Sequence, residues 1–469
     1  MTNPSSLHSA SFDQHMIERY DIPGPRYTSY PTAPMFHAGF GEEHWRAAVN
    51  ASNRRVPARA LSLYVHIPFC ASPCFYCGCA RIITRDHSRA DTYLDHLEKE
   101  ITLTATHFDR GRRVEQLHLG GGTPNFLDIR QMRRLLQMLD ARFGLSHAEE
   151  REFGIEIDAR YADAEYVRQL AALGFNRLSL GIQDFDADVQ SAVNRIQSFE
   201  QTRAAIEAAR QAGFRSISVD LIYGLPLQTP ARFARTLEQV IALAPDRIAA
   251  YGYAHLPERF RAQRQMRALD IPDAAARLEL LALTVERLTA SGYLYIGLDH
   301  FAHPQDELVR ALDERSLQRN FQGYSTHAEC DLIGLGMTAV SRIGDCFSQN
   351  AKTLSDYYAA INAGRLPLER GLVLSDDDII RADAIQQLMC HGELAIVDFQ
   401  ARHAIDFPAY FAATVQRLHT LAQDGLVELD AEHIRVKPLG RFLLRIIAMC
   451  FDAHLASNPL AQVKYSRAV

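Results

Sequence analysis

Four cysteines crowd into one short run, Cys70, Cys74, Cys77 and Cys79, in a chain with only 8 cysteines among 469 residues. The C-x3-C-x2-C spacing of the first three puts three thiolates on one tight loop, close enough to hold a soft metal centre. Three ligands on a four-iron cubane leave the fourth iron open for chemistry, whereas an electron carrier is normally closed by four cysteines. A structural zinc site usually draws two cysteine or histidine pairs from separated stretches, not four cysteines from one loop. Disulfides between such near neighbours would need an oxidising compartment. Residues 1–11 lack the basic stretch followed by an apolar one that marks a secretory leader, so a reduced, cytoplasmic chain is expected. Cys330, Cys346, Cys390 and Cys450 are scattered without a pairing pattern, as reduced core residues would be.

The length exceeds what one hydrophobic core usually serves, which predicts two or three domains. Lys plus Arg is 50 and Asp plus Glu is 56, a net charge of −6, which argues against a general nucleic-acid or anionic-membrane binder. The most apolar late segment, 442–455, is broken by Arg445 and Asp452 and is too short to span a bilayer.

Short apolar runs at 61–66, 116–119, 154–157, 177–180, 217–222 and 247–253 read as strands. Helical patterns at 90–105, 163–173, 199–212 and 229–243 lie between them. Such alternation predicts an α/β fold with a parallel sheet wrapped by helices, and six units suggest a partial or complete (β/α) barrel. Ligands of such barrels gather at the C-terminal strand ends.

The polar motifs sit at those ends. Gly120-Gly121-Gly122-Thr123-Pro124 follows the second strand, where exposed N–H groups could bind a ligand or simply make a tight turn. Glu156 ends the third strand among apolar neighbours; Gln183, Arg195 and Asp220 sit at or just beyond later strand ends. Taken singly, each of these is equally an ordinary surface or packing residue. His66, beside the cysteine loop, reads as a packed, hydrogen-bonded histidine rather than a catalyst.

Together, the C-x3-C-x-aromatic-C loop and the GGGTP run resemble the radical S-adenosylmethionine (SAM) superfamily. More closely, the chain resembles its HemN-type oxygen-independent coproporphyrinogen III oxidases, nearly from end to end. The resemblance includes Pro25-Arg26-Tyr27-Thr28-Ser29-Tyr30-Pro31-Thr32, Val219 to Pro226, Gly297 to Ala302, Asn320 to Tyr324, Ile343 to Cys346 and Lys437 to Arg441. It implies a partial (β/α)6 TIM-like barrel at 61–305, behind an N-terminal arm at 1–60. A barrel extension or connector at 306–371 and a helix-rich C-terminal domain with a hairpin at 372–469 would follow.

By that resemblance Cys70, Cys74 and Cys77 bind a [4Fe–4S] cluster whose open iron is chelated by SAM, with a second SAM beside the first. Matching positions for the two molecules are Tyr64, Tyr76, Gly121, Gly122, Thr123, Glu156, Gln183, Arg195, Asp220, Ala254 and Val340. The implied reaction converts two propionates of coproporphyrinogen III to vinyls. Cys79 and Tyr64 are the implied catalytic positions, Cys79 acting near substrate or as an electron relay without ligating the cluster. Arg26, Tyr27 and Tyr30 are candidates for a clamp on the substrate carboxylates, or simply for packing of the arm on the barrel mouth. The implied partners are coproporphyrinogen III and an unidentified electron donor and acceptor, with the enzyme a monomer.

Alternatives within the superfamily are radical methyl transfer, haem breakdown and the HemW-type haem chaperones. The chaperones typically have an aromatic residue at the position of Cys79 and lack the arm. From a different class comes a DNA-binding regulator, since the C-terminal helices followed by strand-like runs over 425–436 could form a winged helix. Glu428, Asp430 and Glu432 on that hairpin oppose it, because a DNA-reading wing should be basic.

Overall fold

Period-two alternation shapes the centre of the molecule. In the computed structural model, which describes residues 12–327, 330–457 and 465–467, six strands are each followed by a helix. The stretch 1–11, read above for a leader, lies outside the described residues. The strands are β1 (Leu61–Ile67), β2 (Val114–Gly121), β3 (Glu152–Ile157), β4 (Arg177–Gln183), β5 (Ser216–Tyr223) and β6 (Arg247–Gly252). Their helices are α1 (Ser88–Ala105), α2 (Ile129–Phe143), α3 (Ala164–Ala172), α4 (Phe199–Gln211), α5 (Pro230–Leu243) and α6 (Ala274–Ala290). Alternate residues such as Leu117, Leu119, Ile155, Leu180, Val219 and Ile248 join the core beneath the helices. Those between them, such as Gln116, His118, Glu152, Ser179, Ser218 and Asp220, line a polar lumen.

The helices begin where their sequences supply a cap. Asp128 and Ser198 accept from the third helical N–H of α2 and α4 in reciprocal capping boxes with Gln131 and Gln201. Thr229 caps α5 with Pro230 at its first position. Each cap fixes where the chain leaves the strand end, and so shapes the loops above the lumen.

The six strands run parallel in order, and the sheet stays open. Beyond β6 the chain adds β7 (Leu294–Gly297) and β8 (His300–Ala302), with β8 antiparallel to β6. On the other side β9 (Asp331–Leu335) pairs parallel with β1. Antiparallel β10 (Val340–Ile343), β11 (Cys346–Asn350) and β12 (Leu368–Val373) extend it. The expected partial barrel is therefore present, widened into a sheet of 12 strands.

A second apolar core gathers the C-terminal helices around Phe399, Phe407, Phe411 and Phe451. Tyr27 and Tyr30 of the arm belong to this core. The expected hairpin is Val427–Leu429 against His433–Val436, with Glu393–Ala395 completing a three-stranded sheet. Among the described residues no helix is long and apolar enough to cross a membrane.

The join of β9 to β1 rests on a buried ion pair. Asp331 accepts from Arg112 and from Ser52 of the arm helix Glu42–Asn53, and takes the Gly344 N–H at 3.1 Å. Asp331→Ala would leave Arg112 as a buried, uncompensated charge, a loss of about 3–5 kcal/mol. Ser52→Ala should cost about 1 kcal/mol. Urea unfolding followed through Trp45, the single tryptophan and itself buried in this region, should rank the two variants in that order.

Candidate active site

The cysteine loop leaves the end of β1 and folds back over the end of β2. Gly122 donates its N–H to Ile67 O at 2.8 Å, Ile82 to Pro68 O at 2.7 Å, and Thr84 to Cys70 O at 2.9 Å. The Arg81 guanidinium gathers three carbonyls of the loop, those of Cys77 at 2.9 Å, Cys74 at 3.2 Å and Cys79 at 3.3 Å.

Each glycine of the GGGTP run clears a different neighbour. A Cβ on Gly120 would stand 2.9 Å from the Glu156 carboxylate, and one on Gly122 would stand 2.8 Å from Pro68 O. Gly121 sits at φ +116°, and a Cβ there would stand 2.7 Å from the His66 ring. The run is thus required first by the packing of strand against loop. His66 is buried, with Nε2 2.9 Å from Ala80 O and Nδ1 3.2 Å from the Tyr64 hydroxyl. Burial lowers its pKa, so it stays neutral, as expected of a packing histidine.

Cys70, Cys74, Cys77 and Cys79 all face one open cavity of about 190 Å³. Tyr76, Gly121, Gly122, Thr123, Glu156, Gln183, Arg195 and Asp220 complete the wall. Twelve of the expected positions therefore converge there. Tyr64 stacks on His118 with ring centroids 6.1 Å apart, Ala254 lines a neighbouring cavity at the barrel mouth, and Val340 begins β10. These three stand outside this cavity.

The donor set suits a thiolate-bound cluster. Arg160 and Arg195 each reach Cys74 Sγ at 3.6 Å, and Thr123 Oγ1 lies 3.3 Å from Cys70 Sγ. Asp158 orients both arginines, with Arg195 at 3.0 Å and Arg160 at 2.7 Å. Against burial, those two guanidinium groups hold the Asp158 carboxyl below its usual range. A hydrogen bond from Cys79 brings the Cys77 thiol down to about 6, despite burial and with help from Arg81. Burial pushes the Cys70 thiol up to about 11.

The rest of the cavity is built for a polar ligand. Gln183 sits at φ +68°, a strained conformation for a side chain of this kind, and its Oε1 is buried without a partner. Arg195 Nε is buried and unpartnered beside it. On the floor, Glu156 Oε1 lies 3.1 Å from His118 Nε2, and Asp220 lies near Ser179. Burial and the neighbouring Glu156 push Asp220 up to about 7. Arg81, Asp158 and Arg160 escaped the sequence reading, although Asp158 and Arg160 follow Glu156 at every second position of 156–160.

Residues 64–240 match the radical SAM superfamily model, and residues 374–443 match the HemN C-terminal domain. The oxygen-independent coproporphyrinogen III oxidase of Pseudomonas aeruginosa is 50% identical over 463 residues, 99% of this chain and 100% of that protein. The chain belongs to this family. The Escherichia coli oxidase is 46% identical over 464 residues, 99% of this chain and 100% of its own length. The solved structure of E. coli HemN, titled a radical SAM enzyme, matches with a TM-score of 0.90 over 95% of this chain and 100% of that one.

The thiol values generate a test on iron-free, reduced protein. A lowered pKa means thiolate persists as pH falls, so Cys77 should alkylate at half its maximal rate near pH 6. Cys70 should stay nearly inert until well above pH 9, given its value of about 11. Cys79→Ala should move the Cys77 midpoint upward. Iodoacetamide labelling with peptide mass spectrometry reads each site separately.

Proposed function

We propose that this protein carries out oxygen-independent oxidative decarboxylation of two propionates of coproporphyrinogen III, giving protoporphyrinogen IX. The observation that carries this reading is the meeting of Cys70, Cys74 and Cys77 in one cavity with a fourth, exposed thiol, Cys79, at the same wall. Held by Cys70, Cys74 and Cys77, a [4Fe–4S] cluster would, together with SAM, supply the radical chemistry that takes a hydrogen atom from a propionate β-carbon. Loss of CO2 and one electron from the substrate then leaves a vinyl group.

The side chains position these groups and exclude water. Cys70, Cys74 and Cys77 are the proposed cluster ligands, with Arg81, Arg160 and Arg195 offsetting the charge of the thiolates. Glu156, across Gly120 from the loop, suits the ammonium of SAM, and Thr123 with the Gly121–Gly122 backbone suits the adjoining surface. Gln183, Arg195 and Asp220 have unsatisfied or adjustable polar groups for the rest of that ligand and for a second SAM. Tyr64, Tyr76, Ala254 and Val340 fill the remaining positions. Cys79 serves the substrate or the departing electron.

The arm divides its roles. Tyr27 donates to Asp452 at 2.8 Å, and the Tyr30 hydroxyl accepts the Ala453 N–H at 3.0 Å, so both tie the arm to the C-terminal core. Arg26 instead lines the mouth cavity with Arg277 and Arg445, paired to Asp299 at 2.8 Å. A site rich in arginine fits a substrate with four carboxylates. The proposed units are the arm at 1–60, the barrel of 61–305, a barrel extension at 306–371 and the helix-rich domain at 372–469. The setting is cytoplasmic, the enzyme a monomer, and the electron donor and acceptor await identification.

The test is anaerobic turnover by reconstituted protein with coproporphyrinogen III, SAM, dithionite and a crude acceptor, read by chromatography of the oxidised porphyrins. Wild type should form protoporphyrin, and Cys70→Ser should form none and cleave no SAM. Cys79→Ser should keep its cluster and lose product formation by at least about 100-fold, an effect of the order expected for a group needed only at the reacting centre. SAM cleavage by wild type without protoporphyrin would move the substrate elsewhere.

A further inference from the structure

Among the buried arginines, Arg319 differs from the rest. Arg112 faces Asp331 and Arg195 faces Asp158, while Arg441 and Arg445 end on backbone carbonyls. Arg319 is 5% exposed, and its Nε and Nη1 are shielded from solvent without a hydrogen-bond partner. Among the described residues it makes no ion pair, and its guanidinium rests on the face of Tyr324, 5.0 Å from the ring centre. Burying a guanidinium without an anion costs several kcal/mol, which an aromatic face offsets only in part.

Further buried polar atoms without partners lie near Arg319. Arg319 and Tyr324 are paired across the hairpin of Gln318–Asn320 and Gly323–Ser325, which puts both on one face. The His300 ring meets Tyr324 edge-on at 5.2 Å, and its Nδ1 is also buried and unpartnered. Burial and Arg319 push His300 down to about 3, so it is neutral. Gln322 Nε2 is a further buried donor without an acceptor. His300, Gln322 and Tyr324 line the lumen cavity of about 190 Å³, beside Tyr251. Glu156, Ser179 and Asp220 border both this cavity and that of the cysteine loop.

We infer that His300 on the lumen wall and Arg319, stacked on Tyr324 just outside that wall, form a carboxylate seat occupied by one propionate of the tetracarboxylate substrate. The inference rests on the function proposed above and assigns it a binding residue outside the arm. A planar carboxylate offers the paired acceptor oxygens that a guanidinium fork and a neutral imidazole N–H both require. Because Glu156, Ser179 and Asp220 border both cavities, a propionate held there would orient the macrocycle and leave another propionate free to reach the reacting centre. The carboxylate of a SAM molecule has the same chemistry, so the test must separate the two sources.

Steady-state kinetics of the reconstituted, anaerobic enzyme can do so. Arg319→Met should raise KM for coproporphyrinogen III by about tenfold to 100-fold, as loss of a buried charge partner does. Cluster content, KM for SAM and SAM cleavage without porphyrinogen should stay within about twofold of wild type, and Arg319→Lys should recover part of the loss. His300→Ala leaves the guanidinium in place and should raise the same KM by about threefold, which covers the case of Arg319 variants that do not fold. An unchanged porphyrinogen KM in the folded variants would overturn the inference. A rise in KM for SAM instead would give the seat to SAM and overturn it as well. Wild type that cleaves SAM but yields no protoporphyrinogen would sink the proposed function, and the inference with it.

Discussion

Close contact between the cysteine loop and the end of β2 is the constraint on which the site depends. Three thiols can share one metal centre only if their loop is held against something rigid. Here the support is a strand end stripped of side chains, with Gly121 against the His66 ring and Gly122 against the Pro68 and Phe69 backbone. A methyl group at either glycine would push the loop outward. Arg81 then holds the far side of the loop through its carbonyls.

Charge inside the barrel follows from the same geometry. Parallel strands of an open barrel must turn alternate residues inward, and here those residues are mostly polar. The lower lumen is balanced: burial would raise Glu152, but Arg177, His327 and Arg247 hold it down to about 2. Higher up, Glu156 and Asp220 share a floor with fewer cations, and burial together with Glu156 pushes the Asp220 carboxyl up to about 7. A cationic or hydroxyl-rich ligand is favoured over that floor.

The arm and the C-terminal segment close the mouth by clasping each other. Arg445 donates to Pro25 O at 3.0 Å and Ser466 O at 2.9 Å, and Arg467 pairs with Asp21 at 2.7 Å. Tyr27 and Tyr30 are buried in the C-terminal core, so the arm is anchored on both sides of Arg26. That leaves Arg26 held in place at the cavity rim, paired with Asp299.

The sequence alone determined the local features. Strand and helix order, the cysteine spacing, the GGGTP turn and the capping residues are carried by short-range pattern, because alternation, cap chemistry and glycine freedom act over a few residues. The family resemblance pointed to Glu156, Gln183, Arg195 and Asp220, which singly could have been surface residues. Only the tertiary structure decided that the glycines serve packing before ligand binding. It also brought Arg81, Asp158 and Arg160 to the thiols, and separated Arg26 from Tyr27 and Tyr30. Arg319 was equally invisible, since a buried cation without a partner is defined by what lies around it. Burial and charge pairing link residues as far apart as Tyr27 and Asp452, and no local pattern encodes which distant groups will meet.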